Sequence, residues 1–181
     1  MDPDSVAGDI SAASREAVAD ALARLCDEWG EFPVERKRWD LTAVEWDDDR
    51  ERFAAGTVGG AGAWVRRDDG RALVVRHEGE TAWSEPGGKQ EPDESLATAA
   101  VRETREETGI TVALDGVVTA HRIAEHAPDR PPLYRLIAVF SAHPVADPTS
   151  LDPREGEIAE ARWIADHPDD LLYPEVAEFP L

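Results

Sequence analysis

Residues 87–110 read GGKQEPDESLATAAVRETREETGI, and this run decides how the rest of the chain is read. The stretch from about Ser95 to Thr108 predicts a helix, with Asp93 as the expected N-cap. At about 100° per residue, Glu103, Glu106 and Glu107 fall within one band roughly 100° wide. Ala97, Ala100, Val101 and Thr104 form the neighbouring stripe and are expected to face a sheet. Arg102 lies one turn before Glu106 and is placed to pair with it. Like charges three and four residues apart weaken a helix by a few tenths of a kcal/mol per pair, roughly. Three carboxylates that close also resist ionising together unless a cation compensates them. With no His or Cys in the run, the oxygen-only set favours Mg²⁺ (or Mn²⁺) over zinc. Gly87-Gly88 lets backbone approach a ligand closely. Together these features suggest phosphoanhydride chemistry, in which a metal neutralises phosphate oxygens and acidifies a bound water.

Outward from this run the pattern is mixed. Ala61–Arg66 and Ala72–Arg76 read as strands joined by the turn signal Asp68-Asp69-Gly70. After the helix, Val112–Arg122 and the near-continuous apolar run Leu133–Ala142 read as strands, the second suited to a buried position. Ala159–Ile164 is a further strand, and residues 167–172 (HPDDLL) suggest a short helix. Strands and helices that mix without strict alternation argue for an α/β layered domain around a mixed sheet. Toward the N-terminus, Val18, Leu22, Leu25, Cys26 and Trp29 recur at helical spacing within Ser14–Trp29, ended by Gly30 and Pro33. Residues 34–56, where Trp39 and Trp46 sit among many charges, read as an irregular extension or a strand pair. The expected division is an N-terminal helical extension over 1–55 and a main domain over 56–181.

The 181 residues carry 39 acids against 19 bases, a net charge of −20, and only two lysines, Lys37 and Lys89. Such a chain repels bare phosphate backbones and anionic lipid, which argues against nucleic-acid and membrane partners. Its self-repulsion fades in molar salt, where the Debye length is roughly 3 Å. The balance suggests a salt-rich cytoplasm, as in a halophilic archaeon. Cys26 is the single cysteine, so neither an internal disulfide nor a thiolate cluster is available. The N-terminus MDPDSVAGDI lacks a signal pattern, and no apolar run approaches the roughly 20 residues needed to span a bilayer. A cytoplasmic location is expected.

The run at 87–110 resembles the Nudix box (MutT-like), G-x5-E-x7-R-E-U-x-E-E-x-G-U, where U is a bulky aliphatic residue. Gly88, Glu94, Arg102, Glu103, Glu106, Glu107, Gly109 and Ile110 match. Thr104 departs softly at one U position. Trp83, Pro86 and Gly87 match the usual approach to the box. The resemblance extends over about residues 57–175 and leaves 1–55 uncovered. It implies a Nudix-type α/β/α sandwich with a central mixed sheet, hydrolysing nucleoside diphosphates linked to another moiety. Glu103, Glu106 and Glu107 match the metal-binding glutamates, and Gly87 a position whose carbonyl often joins them. Gly88, Glu94 and Gly109 match positions that support the box. The catalytic set implied is Glu103, Arg102 and a late-loop carboxylate. Glu157 is the first choice for that carboxylate and Glu160 the second.

Outside the box the substrate signals thin out. Pro128, a little later than the proline that accompanies ADP-ribose hydrolysis in some members, leans the reading to ADP-ribose or another nucleotide sugar. A nucleoside triphosphate pyrophosphohydrolase and a non-catalytic nucleotide sensor are the alternatives, although a sensor would typically have lost box glutamates. Isomerase chemistry on the same fold needs a cysteine in a different context from Cys26. A small-molecule nucleotide is the expected partner, with a homodimer admitted. Asp47–Asp49, His121 and His126 read as surface groups. Trp39, Trp46 and Trp64 read as packing residues, with base stacking the alternative.

Overall fold

The structure, a computed structural model, describes residues 3–146 and 150–181, with side chains from residue 10 onward. The elements run α1 (Pro3–Trp29), β1 (Val34–Asp40), α2 (Ala43–Ala54), β2 (Gly59–Val65), β3 (Ala72–His77), β4 (Gly87–Lys89), α3 (Leu96–Thr108), β5 (Val112–His126), β6 (Leu133–Pro144) and β7 (Ile158–Ile164). A single 3-10 turn, Pro174–Glu178, follows. The main sheet has the order β1-β5-β6-β2-β4, and β3 pairs with β7 in a second, two-stranded sheet. β1/β5 and β6/β2 are parallel, whereas β5/β6 and β2/β4 are antiparallel, so the sheet is mixed.

The apolar run of β6 lies at the centre, hydrogen-bonded on both sides. Its even-numbered side chains, Leu136, Ala138, Phe140 and Ala142, join Ala61, Ala63 and Val65 of β2 in one cluster. Val18, Ala21 and Leu25 of α1 and Leu96, Ala99 and Ala100 of α3 pack into the same cluster. The opposite rows carry Trp64 and Val139, which pack on Val74, Trp83, Ile164, Val176 and Phe179. This strict alternation is what a sheet covered on both faces requires.

Five local readings change. Residues 34–56 are neither irregular nor a strand pair: β1 joins the edge of the main sheet and α2 follows it, closed by a Thr42/Glu45 capping box. The turn at Asp68–Gly70 forms, with Arg66 and Ala72 bridged across it. The strands it joins then part into different sheets instead of continuing as a hairpin. The cap of α3 is Ser95, whose hydroxyl accepts the Thr98 N–H, while Asp93 occupies a left-handed turn at φ 63°. The buried stripe of α3 runs through Leu96, Ala99, Ala100, Thr104 and Thr108, so it lies partly to one side of the expected Ala97 and Val101. Residues 167–172 form no helix; Leu171 bridges Trp83 instead, and the helical turn comes two residues later. Cys26 is exposed, on the solvent side of α1.

Candidate active site

The buried side of α3 carries its acids inward. Glu107 is 1% exposed and Glu103 is 8% exposed, which no ordinary helix surface would do with carboxylates. Glu107 accepts the Gly87 N–H at 2.9 Å and lies 3.7 Å from His77 Nε2. Burial, reinforced by Glu103, Glu157 and Glu85, pushes its carboxyl up to about 8 against the one N–H that favours the anion. Glu103 accepts from Arg102 at 2.7 Å; burial still raises it, and the guanidinium only partly offsets this. Glu106 faces outward and is touched by Arg102 at 3.4 Å and Arg154 at 3.3 Å.

Arg102 does more than pair along its own helix. Its fork closes on Glu94, with Nε and one terminal nitrogen each 2.9 Å from a carboxylate oxygen. The same guanidinium reaches the Lys89 carbonyl at 3.0 Å. Glu94 is thereby held well below the usual carboxylate range, first by the Arg102 hydrogen bonds. The expected Arg102–Glu106 fork is therefore a minor contact, and Arg102 ties helix, loop and β4 together instead. Gly88 lies against Glu103: a Cβ there would meet Glu103 Cδ at 2.5 Å. Gly109 ends α3 at φ 76°, with its N–H on the Arg105 carbonyl, the left-handed cap that glycine supplies without strain.

Glu157 arrives from a distant turn. Its own N–H and that of Ile158 bond to the Arg154 carbonyl, and the Arg154 N–H bonds to the Glu107 carbonyl. Glu157 thus hangs on the end of α3. Among the described residues, Glu157, Glu107 and His77 each present one ligand atom, all within 4.8 Å of one another. Glu160 instead pairs with Arg76 at 3.3 Å. His77 escaped the sequence reading because it lies on β3, ten residues before Gly87, and carries no box signal of its own.

Beside this cluster lies a cavity of about 270 Å³ over the face of the main sheet opposite α1 and α3. Its floor includes Gly60 and Gly62 of β2, His121, Ile123 and Glu125 of β5, and Arg135 and Ile137 of β6. The supposed extension supplies Lys37 and Trp39 from β1 and Asp49 from α2. Trp46 and Trp64 are core. Glu125 is 2% exposed with one carboxylate oxygen unpartnered, and burial with Asp49 alongside pushes it up to about 7. Arg135 is equally buried, 3.5 Å from Asp49, with its Nε unpartnered. Glu85 is likewise pushed up to about 7, chiefly by desolvation. His121, read as a surface group, is buried and lowered by that burial, while Asp47 stays outside in a pair with Arg130. His126 lies in a separate shallow depression with Arg38 and Asp40.

The model of the NUDIX domain family matches residues 56–178, more than half of the chain. The chain belongs to the Nudix family. It is 33% identical over 105 residues to the phosphatase NudJ of Escherichia coli K12, an alignment covering 57% of this chain and 65% of NudJ. NudJ of Shigella flexneri matches to the same extent. This chain thus spans just under two thirds of the length of those relatives. A crystal structure of a NUDIX hydrolase from Nitrosomonas europaea superposes with a TM-score of 0.53 at 19% identity, covering 67% of each chain, a likeness of fold.

The residues gathered at the end of the Nudix helix fit a hard divalent cation. Two carboxylates and an imidazole converge, with Glu157 also 3.1 Å from Arg154, and Gly88 leaves Glu103 room beside them. No helix among the described residues is long and apolar enough to cross a membrane.

Proposed function

We propose that this Nudix protein hydrolyses a phosphoanhydride bond in a nucleoside diphosphate linked to another moiety, with ADP-ribose or another nucleotide sugar as the leading class. The observation that carries this reading is the buried Glu107, set beside Glu157 and His77 and accepting the N–H of Gly87, itself in the lining of the cavity. Glu103, Glu106, Glu107 and the Gly87 carbonyl are the proposed holders of Mg²⁺ (or Mn²⁺). The bound metal would neutralise phosphate oxygens and lower the pKa of a water.

The chain's own groups supply the rest. Glu107 would have to be ionised to hold the cation, since a ligating carboxylate binds as its anion. Glu103, fixed by Arg102 at 2.7 Å, or Glu157 on its turn accepts the proton of the attacking water. Arg102 and Glu94 act as positioning residues by locking the loop from β4 to α3. Lys89, at the mouth of the cavity, attracts the phosphate chain. Gly60, Gly62, Gly87 and Gly88 let that chain lie close to the backbone. The remainder of the substrate fills the cavity against Trp39, Ile123 and Ile137, with Glu125 and Arg135 offering an acceptor and a donor. In this reading β1 and α2 are part of the substrate site through Lys37, Trp39 and Asp49, and the acidic surface adapts the protein to a salt-rich, cytoplasmic setting.

The test is a panel of nucleotide sugars, dinucleotides and nucleoside triphosphates with Mg²⁺ in molar KCl, read by release of phosphate-containing products. Turnover of nucleotide sugars ahead of triphosphates is expected. Tight binding of one nucleotide without turnover of any would overturn the catalytic reading in favour of a sensor.

A further inference from the structure

Among the described residues, His77 is the one imidazole that converges with Glu107 and Glu157, and main-chain contacts hold it there. The pairing of β3 with β7 skips Ala159, a bulge on β7 that sets His77 opposite Ile158, next to Glu157 in the chain. The His77 carbonyl accepts the Glu80 N–H at 3.1 Å, which fixes the turn that follows. The Glu78 N–H bonds to the Glu157 carbonyl at 2.8 Å. Main-chain bonds therefore couple the end of β3 to the turn bearing Glu157, and that turn is coupled to the Glu107 carbonyl through Arg154. Three segments far apart in sequence are locked by backbone with their side chains converging.

The spacing is informative. His77 Nε2 lies 3.7 Å from Glu107 Oε1, too long for a hydrogen bond. In an octahedron with metal–ligand distances of about 2.1 Å, donor atoms lie about 3 Å apart when cis and about 4.2 Å when trans. The 3.7 Å separation matches neither distance, so the two side chains would close slightly to take adjacent positions on one ion. The ring also lines the cavity, where a ligand can enter.

We propose that His77 coordinates the divalent cation together with Glu107 and Glu157, making the centre a mixed nitrogen–oxygen site. This rests on the metal-dependent reading above and goes beyond the box glutamates. A neutral imidazole shifts preference from Mg²⁺ toward Mn²⁺ and Zn²⁺. The probe is Mn²⁺ with pulsed electron paramagnetic resonance. The wild-type complex is expected to show the ¹⁴N coupling of a directly bound imidazole. H77Q should keep bound Mn²⁺ and lose that coupling. Its Zn²⁺ affinity should fall by about tenfold or more, the scale of losses at metal sites, with a smaller change for Mg²⁺. H77D serves as a second variant: it returns an oxygen ligand, so Mn²⁺ binding should stay near wild type without nitrogen coupling. Wild-type Mn²⁺ lacking ¹⁴N coupling, or a coupling that persists in H77Q, would overturn the assignment and leave the hydrolase reading standing. Failure of Mn²⁺ to bind also overturns it, and Mg²⁺-dependent turnover measured in parallel then decides whether the hydrolase reading falls too.

Discussion

Gly88 and Glu103 compete for one volume: a methyl group on the glycine would lie 2.5 Å from the carboxylate carbon of the glutamate. Glu103 cannot simply retreat, because Arg102 holds it at 2.7 Å and the rest of its surroundings are closed. Gly88→Ala should therefore displace Glu103. The expected outcome is a fall in kcat of about tenfold to a hundredfold, on the scale of a misplaced catalytic group, with a stability loss of roughly 1–3 kcal/mol for overpacking. Steady-state kinetics beside urea denaturation would show it; an unchanged kcat would remove Glu103 from the machinery.

Arg102→Lys separates charge from geometry. Lysine keeps the positive charge but cannot close a fork on Glu94 while also reaching Glu103 and the Lys89 carbonyl. A loss of about 1.5–3 kcal/mol is expected, the range for hydrogen bonds to charged groups. Equal stability of the two proteins in chemical denaturation would mean that the fork contributes nothing.

Glu107→Gln and Glu106→Gln should differ in stability and agree in activity. Each removes a charged ligand proposed for the cation, and turnover should fall by about 10² or more, the scale of lost transition-state electrostatics. Glu107 is buried, so its glutamine variant should also be at least as stable as wild type at pH 8 in chelator. Glu106 is exposed, and its variant should melt as wild type does. Near-normal turnover of Glu106→Gln would sink its metal assignment.

Metal-free stability should decline as pH rises from about 4.5 to 8. Glu107 is raised to about 8 in the folded state, and Glu85 and Glu125 to about 7. Between the unfolded and folded pKa values the native state binds more protons than the unfolded one, so unfolding becomes easier with increasing pH. Glu94 has the opposite sign: its depressed pKa stabilises the fold above the usual carboxylate range, and this is lost on further acidification. Maximum stability is thus expected in mild acid. Divalent cation should restore stability near pH 8 by replacing the proton on Glu107. Thermal melts across pH, with chelator and with Mg²⁺, give the comparison; a metal-free melting temperature that climbs steadily to pH 8 contradicts it.

Added KCl should stabilise a chain of net charge −20. Screening shortens the range of its self-repulsion to roughly 3 Å at molar salt. A melting temperature that is already maximal in dilute buffer would remove the salt-rich setting from the reading.

The Nudix helix was legible because its signals are local. Glycines, acids and arginine recur at fixed offsets, and the three-and-four spacing alone puts Glu103 and Glu107 together. What surrounds the helix depends on contacts across long sequence separations. VERKRWD in β1 has no apolar alternation to announce a strand, and its place is set by parallel pairing with Val34 opposite Ala120. His77 reaches Glu107 only because β3 leaves the hairpin and joins β7. Asp93 and Ser95 are both good capping types, and the left-handed backbone at Asp93 decided between them. The cavity did leave one trace. His121, Ile123 and Glu125 alternate along β5, and Arg135 with Ile137 continues the row on β6, a two-residue period that marks one sheet face.

The parallel β1/β5 edge has an evolutionary consequence. The box acids and the part of the cavity wall supplied by β1 and α2 come from separate stretches of chain, joined by the β1/β5 pairing and by the Lys89–Asp49 ion pair. In the proposed reading, residues 34–54 could be exchanged while the box is left as it is. A transplant of this segment onto another member of the family would move selectivity without touching the chemistry.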